Sequence, residues 1–176
     1  MRALYFLSEA LLVLFCSLFL LRFYMQCCRV SFMSDLGRFV HVLTEWALAP
    51  LRRLLPRWRS IEWSGVLLVW LANVVFAWLW LPIQGSGVWP ALLGHGLVKT
   101  LYYFLQLLSV VLLGFVITSW IRSYSHGYLA LREALLRMAQ PLLAPIQRML
   151  PPIANIDLSP LVAILLLQAL KMLLPG

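Results

Sequence analysis

The chain has 176 residues, 63% of them apolar and 11% charged, and its mean hydropathy is +0.91. A water-soluble domain carries about 45–50% apolar and about 25% charged residues, so water cannot be the solvent for most of this surface. The net charge of +8 flanks apolar runs, which favours anionic lipid headgroups as partner; no stretch reads as a nucleic-acid module.

The first apolar run, Ala3–Leu21, is long enough to cross a bilayer, which takes about 20 residues. It lacks a small-x-small cleavage site, so an uncleaved span is expected. Glu9 lies inside it, roughly 9 Å deep at 1.5 Å per residue. The connector Arg22–Trp63 follows. Within it Leu36, Phe39, Val40, Leu43, Trp46 and Ala47 recur at helical spacing, with Arg38, His41, Thr44 and Glu45 on the other side. This pattern predicts an amphipathic helix, lying in the membrane interface or packed on the bundle. The second span, Ser64–Pro82, carries Asn73. Gln84–Gly96 is short, Gly-rich and uncharged, and reads as a turn.

The third span, Leu97–Ile121, carries Lys99 and Gln106. The connector Arg122–Asp157 repeats the amphipathic pattern more weakly, with Tyr128, Leu131, Leu135 and Met138 opposed by Arg132, Glu133, Arg137 and Gln140. The fourth span, Leu158–Leu174, is short and carries Gln168 and Lys171. Of the basic residues, all but Arg2, Lys99 and Lys171 lie in the two connectors. The positive-inside rule therefore predicts cytoplasmic connectors and external termini.

Ala49-Pro50-Leu51-Arg52-Arg53-Leu54-Leu55-Pro56 recurs as Ala144-Pro145-Ile146-Gln147-Arg148-Met149-Leu150-Pro151. At the same offset Ile61-Glu62-Trp63-Ser64 meets Ile156-Asp157-Leu158-Ser159, and Asn73 meets Gln168. Shared apolar character cannot align Pro, Arg, acid and Ser positions in connectors, so the chain divides into repeats over 1–83 and 97–176, joined by a short external turn over 84–96. The expected fold is an all-α membrane protein with four transmembrane helices in two parallel tandem repeats, each with an amphipathic helix in its long connector.

The repeated motif has a structural reading. Pro50 and Pro145 open a short helical turn, and Pro56 and Pro151 end it. Ser64 and Ser159 cap the second and fourth spans, the latter followed by Pro160. Glu62 and Asp157 sit before those helix starts, where the macrodipole favours an acid. They are expected to pair with Arg53 and Arg148. Arg52, Arg53, Arg148 and Trp46 are the candidates for contact with headgroups or a partner.

Polar groups at membrane depth are functional candidates by default. Glu9 is expected to be neutralised by Lys99 or Lys171 or to be protonated, with a transport-linked carboxylate as the functional alternative. Asn73 and Gln168 are expected to hydrogen-bond across the bundle with Gln106 nearby, each bond worth only about 0.6 kcal/mol. Cys16, Cys27 and Cys28 fit neither a disulfide framework nor a zinc site. His41, His95 and His126 are scattered, and no nucleophilic triad, P-loop or HExxH motif occurs. Neither metal, cofactor nor catalysis is expected.

With Leu21-Arg22 at the end of the first span, the doubled Ala-Pro-x-x-Arg-x-Leu-Pro motif and Ile156-Asp157-Leu158-Ser159-Pro160, nearly the whole chain resembles the YggT family of bacterial membrane proteins, which has plastid relatives. The first copy departs from the pattern at Arg57-Trp58-Arg59-Ser60 and at Glu62, where a Gly-rich stretch and Asp would stand. The resemblance implies a bacterial inner-membrane protein, with links to osmotic stress and potassium homeostasis among bacterial members and to cytochrome maturation among plastid ones. Three roles are open. One is a non-enzymatic scaffold or accessory factor, binding anionic lipid or another membrane protein. The second is an ion transporter or channel component acting as a homo-oligomer. The third is a haem-assembly factor.

Overall fold

The computed structural model describes residues 2–30, 35–51, 62–80, 88–121, 125–149 and 158–174. These form six helices: α1 (Arg2–Cys27), α2 (Asp35–Leu51), α3 (Ser64–Trp80), α4 (Val88–Trp120), α5 (His126–Met149) and α6 (Ser159–Met172). Arg52, Arg53, Pro56, Pro151 and Asp157 lie outside the described residues.

Among the described helices two, α1 and α4, are long and apolar enough to cross a membrane. This corrects the expected four transmembrane helices in two repeats. The apolar helices α3 and α6 have 17 and 14 residues. At 1.5 Å per residue they measure about 26 and 21 Å, short of a hydrocarbon core of about 30 Å. The apolar runs were legible, but run length overstates helix length at Leu158–Leu174. Only 17% of the most apolar stretch of α1 is buried against the rest of the chain. Leu4, Phe6, Leu7, Leu11 and Leu14 face outward, so α1 is not the covered core helix of a water-soluble fold.

α1 runs past Arg22, where a span was expected to end, and stops at a Schellman turn. Arg29 takes a positive φ of 53°. The Val30 amide donates to the Met25 carbonyl at 2.9 Å and the Arg29 amide to Gln26 at 3.1 Å. Val30 and Met25 are both buried, giving the apolar contact that accompanies this motif.

α3 packs antiparallel to α1. Tyr5 meets Trp80 at one end, with ring centroids 5.4 Å apart, and Phe23 meets Trp63 at the other, at 5.3 Å. α4 returns along α3. It begins at Val88, so residues 88–96 are helical and not part of a turn. Gly96 serves packing instead: a Cβ there would lie 2.5 Å from Val74 Cγ2 and 3.3 Å from the Trp70 carbonyl. α6 packs along α4 in turn, burying Ala163 with Leu112, Ala139 and Leu143.

The surface helices α2 and α5 hold the chain between the apolar ones. In α2 the expected stripe divides into two faces. Val40, Ala47 and Leu48 turn inward, whereas Phe39, Val42, Leu43 and Trp46 turn outward. Thr44, expected on the polar side, is fully buried. In α5 Ala134, Met138, Ala139 and Leu143 are buried, and Arg132, Glu133, Arg137 and Gln140 are exposed.

Three local expectations also change. Pro145 does not open a short turn: it lies within α5, one turn after Pro141. Both prolines are exposed, so the carbonyls they leave unbonded need no partner inside the protein. Pro50 likewise falls within α2. Ser64 and Ser159 are the first helical residues, not caps: the first helical bonds run from Leu67 to the Trp63 carbonyl and from Val162 to the Leu158 carbonyl, both 3.1 Å. Pro160 still occupies the first turn of α6, where no intrahelical donor is lost.

Candidate functional site

Two polar constellations stand out. The first is built on Arg22, only 3% exposed near the end of α1. Its Nη1 donates to Thr44 Oγ1 at 2.7 Å and to the His41 carbonyl at 3.4 Å. Its Nη2 reaches Glu45 Oε2 at 3.0 Å and Glu62 Oε2 at 3.2 Å. Gln26, one helical turn on, clamps the same acid: its Nε2 donates to Glu62 Oε2 at 3.3 Å, and the Glu62 amide donates to Gln26 Oε1 at 2.9 Å. His41 Nε2 lies 3.4 Å from Glu45 Oε2. One guanidinium thus ties α1, α2 and the entry to α3. A planar fork of five donors suits this task, which a lysine could not perform. Expected partners change accordingly: Glu62 is held by Arg22 and Gln26, and the Arg53 foreseen for it lies outside the described residues.

The second constellation lies between α1 and α4, the two described helices long and apolar enough to cross a membrane. Glu9, Lys99, Tyr102 and Gln106 line an open cavity of about 890 Å³ between α1 and α4. Glu9 and Lys99 also line a smaller one of about 210 Å³ with Asn73 and His95. Although they share both cavities, no ion pair joins Glu9 to Lys99 or Lys171 among the described residues. Lys99 and Lys171 instead stand 5.8 and 5.6 Å from the centre of the Tyr102 ring. Lys171 also donates to Gln106 Oε1. The expected neutralisation of Glu9 by a lysine is therefore not made; the aromatic face and an amide take that charge instead.

The expected Asn73–Gln168 bond is not made either. Asn73 is buried where α1, α3 and α4 meet. Its Nδ2 donates to the Val69 carbonyl at 2.9 Å, and lies 3.6 Å from Cys16 Sγ and 3.5 Å from Thr100 Oγ1. Gln168 is exposed on α6. Matching positions in two copies do not have to face each other, and here α4 intervenes.

Of the interfacial candidates, Trp46 is 71% exposed and Arg148 is exposed in the last turn of α5, where a cation complements the helix dipole. Among the described residues no group of three or more His, Cys, Asp or Glu is placed to hold a metal ion, and the three cysteines are free.

Comparison with known proteins decides the lineage. A family model described as CCB3/YggT matches residues 1–83 and again residues 94–176. The chain belongs to the CCB3/YggT family. Among its relatives is the Escherichia coli (strain K12) protein named "Uncharacterized protein YggT", 32% identical over 178 residues, covering 98% of this chain and 89% of that one. Pseudomonas aeruginosa "Uncharacterized protein PA0392" is 32% identical over 179 residues, covering 96% and 86%. A Vibrio alginolyticus protein, "Uncharacterized protein in proC 3'region", is 30% identical over 171 residues, covering 96% and 91%. No solved structure matches. As a member of CCB3/YggT, a bacterial membrane protein family, this chain is a predominantly helical, membrane-associated protein.

The Arg22 cluster is what sequence reasoning missed in this CCB3/YggT chain. In sequence Arg22 reads as the start of a connector, and Glu45 as part of the polar side of an amphipathic helix. A signal was present: Gln26 follows Arg22 by one helical turn, so both project from one face of a helix that continues past the charge.

Proposed function

We propose that the protein is a non-enzymatic accessory or scaffold factor of the bacterial inner membrane, using its amphipathic helices to engage headgroups or another membrane protein. One observation carries the reading: α2 is fixed on its inner face and apolar on its outer one. The buried Arg22–Thr44 bond holds it inward, leaving Phe39, Val42, Leu43 and Trp46 exposed together. A surface helix needs no outward apolar stripe in water, but one lying in the interface does. The exposed Arg38, Arg132, Arg137 and Arg148 supply cations for anionic headgroups. The positive-inside rule supports a cytoplasmic position for these helices and an external N-terminus.

Spin labels at single cysteines test this in vesicles containing anionic lipid, in a background with the native cysteines replaced by serine. Labels at positions 39, 43 and 46 should be shielded from a water-soluble relaxant and reached by oxygen, and a label at 38 should show the reverse. Equal exposure to water at all four positions would remove the reading.

A second reading, an ion transporter or channel component, is favoured by Glu9, Asn73, His95 and Lys99 around the 210 Å³ cavity. It requires ion flux in liposomes holding the pure protein, and flux no higher than in empty liposomes rules it out.

A further inference from the structure

The larger cavity has an organisation that neither reading uses. Along α1 it runs from Phe6 to Leu21, and along α4 from Lys99 to Val110. At 1.5 Å per residue these stretches measure about 22 and 16 Å, the scale of an acyl chain. Leu14, Leu18 and Val110 form an apolar trough, and the charged pair Glu9 and Lys99 stands toward one end. That end lies one helical turn from Tyr5, which packs on Trp80. Tyrosine and tryptophan settle at the headgroup level of a bilayer, so Glu9 sits just beneath it.

Two opposite charges line one cavity without pairing. The Tyr102 face offsets part of the Lys99 charge, but neither Glu9 nor Lys99 has an opposite charge paired with it among the described residues, and a charge in hydrocarbon is costly without one. A single ion satisfies one and repels the other. An anionic lipid would meet Lys99 but place its phosphate against Glu9. A headgroup carrying both a phosphodiester and an ammonium satisfies both. A primary ammonium has three N–H donors for the carboxylate; a quaternary one has none.

We propose that the groove between α1 and α4 is a site for an aminophospholipid of the phosphatidylethanolamine type. Its ammonium bonds to Glu9, its phosphate to Lys99, and one acyl chain lies along Leu14, Leu18 and Val110. This site is separate from the outward face of α2 and does not depend on it.

The test is native mass spectrometry of the full chain, delipidated in detergent and titrated with dioleoyl phosphatidylethanolamine, phosphatidylcholine or phosphatidylglycerol. Phosphatidylethanolamine should bind about tenfold more tightly than the other two, the scale of one charge-assisted hydrogen bond. Glu9→Gln should bring it down to the phosphatidylcholine level, and Lys99→Gln should weaken both. A series of mono-, di- and trimethylated phosphatidylethanolamines on the unaltered protein needs no variant, and affinity should fall with each methyl group. Equal binding of the three lipids, tightest binding of phosphatidylglycerol, or a preference that survives Glu9→Gln would overturn the proposal.

Discussion

Arg22 and Glu62 meet at 3.2 Å with their side chains only 4% and 6% exposed, although forty residues separate them in sequence. The contact ties the last turns of α1 to the entry of α3. Breaking a buried pair by removing one partner typically costs about 3–5 kcal/mol, and Glu45, 3.0 Å from the same guanidinium, offsets part of that cost for Arg22. Glu62→Ala should therefore lower the thermal unfolding midpoint in detergent sharply. Arg22→Met combined with Glu62→Met should recover part of the loss, because an apolar pair carries no desolvation penalty. A Glu62→Ala protein that melts with the parent would remove this assignment.

The turn after α1 holds Arg29 at a φ that L-residues with a Cβ avoid. Glycine adopts it without that penalty, and Arg29 is exposed, so no packing is lost. Arg29→Gly should stabilise the protein by up to about 1 kcal/mol, read as a raised unfolding midpoint. Arg29→Val should lower it.

At Gly96 the constraint is space. A β-carbon would stand 2.5 Å from Val74 Cγ2, and a valine in a helix has one strongly preferred rotamer, so it cannot simply rotate away. Gly96→Ala should cost about 1–3 kcal/mol through separation of α3 from α4. Adding Val74→Ala should restore most of it. Equal losses in the single and double variants would show that the two residues are not coupled.

Asn73 sits between three helices, and its neighbour across the interface is Thr100. In a background with Cys16 replaced by serine, cysteines at positions 73 and 100 should form a disulfide in the membrane under mild oxidation. Cysteines at 73 and 168 should not. The reverse outcome would restore the pairing that the repeat alone suggests.

Burial holds the Cys28 thiol above its ordinary value of 9.0, with the nearby Tyr24 hydroxyl acting in the opposite direction. Only the thiolate attacks a maleimide, so a raised value leaves less of the reactive form at any given pH. With Cys16 and Cys27 replaced by serine, alkylation at pH 8 should be slower than that of a free peptide thiol, and the rate should keep climbing above pH 9. A rate profile that levels off below pH 9 would contradict this.

Helix type was legible in the sequence wherever an apolar period ran uninterrupted. The stripe from Leu36 to Ala47 foretold α2, and the Tyr128–Met138 pattern foretold α5. The ends were less so, because charge and glycine each carry two meanings. Arg22 reads as a stop until partners from α2 and the entry to α3 neutralise it. Gly94 and Gly96 read as a turn until α3 is seen to need the room at Gly96. Polar partners were hardest of all. Asn73 and Gln168 correspond along the chain, but a bond needs proximity, and α4 fills the space beside Asn73. The lysine expected beside Glu9 goes to Tyr102 and Gln106, a choice that depends on side-chain reach across α4 and α6.

The phenol of Tyr24 donates to the Met138 carbonyl at 2.6 Å, bridging α1 to α5 across 114 residues. Tyr24 stands two positions from Arg22, which grips α2. A short piece of α1 therefore acts as a yoke between the two surface helices. Neither surface helix can be moved away from α1 without loading the same turn of that helix, from which the other is also held.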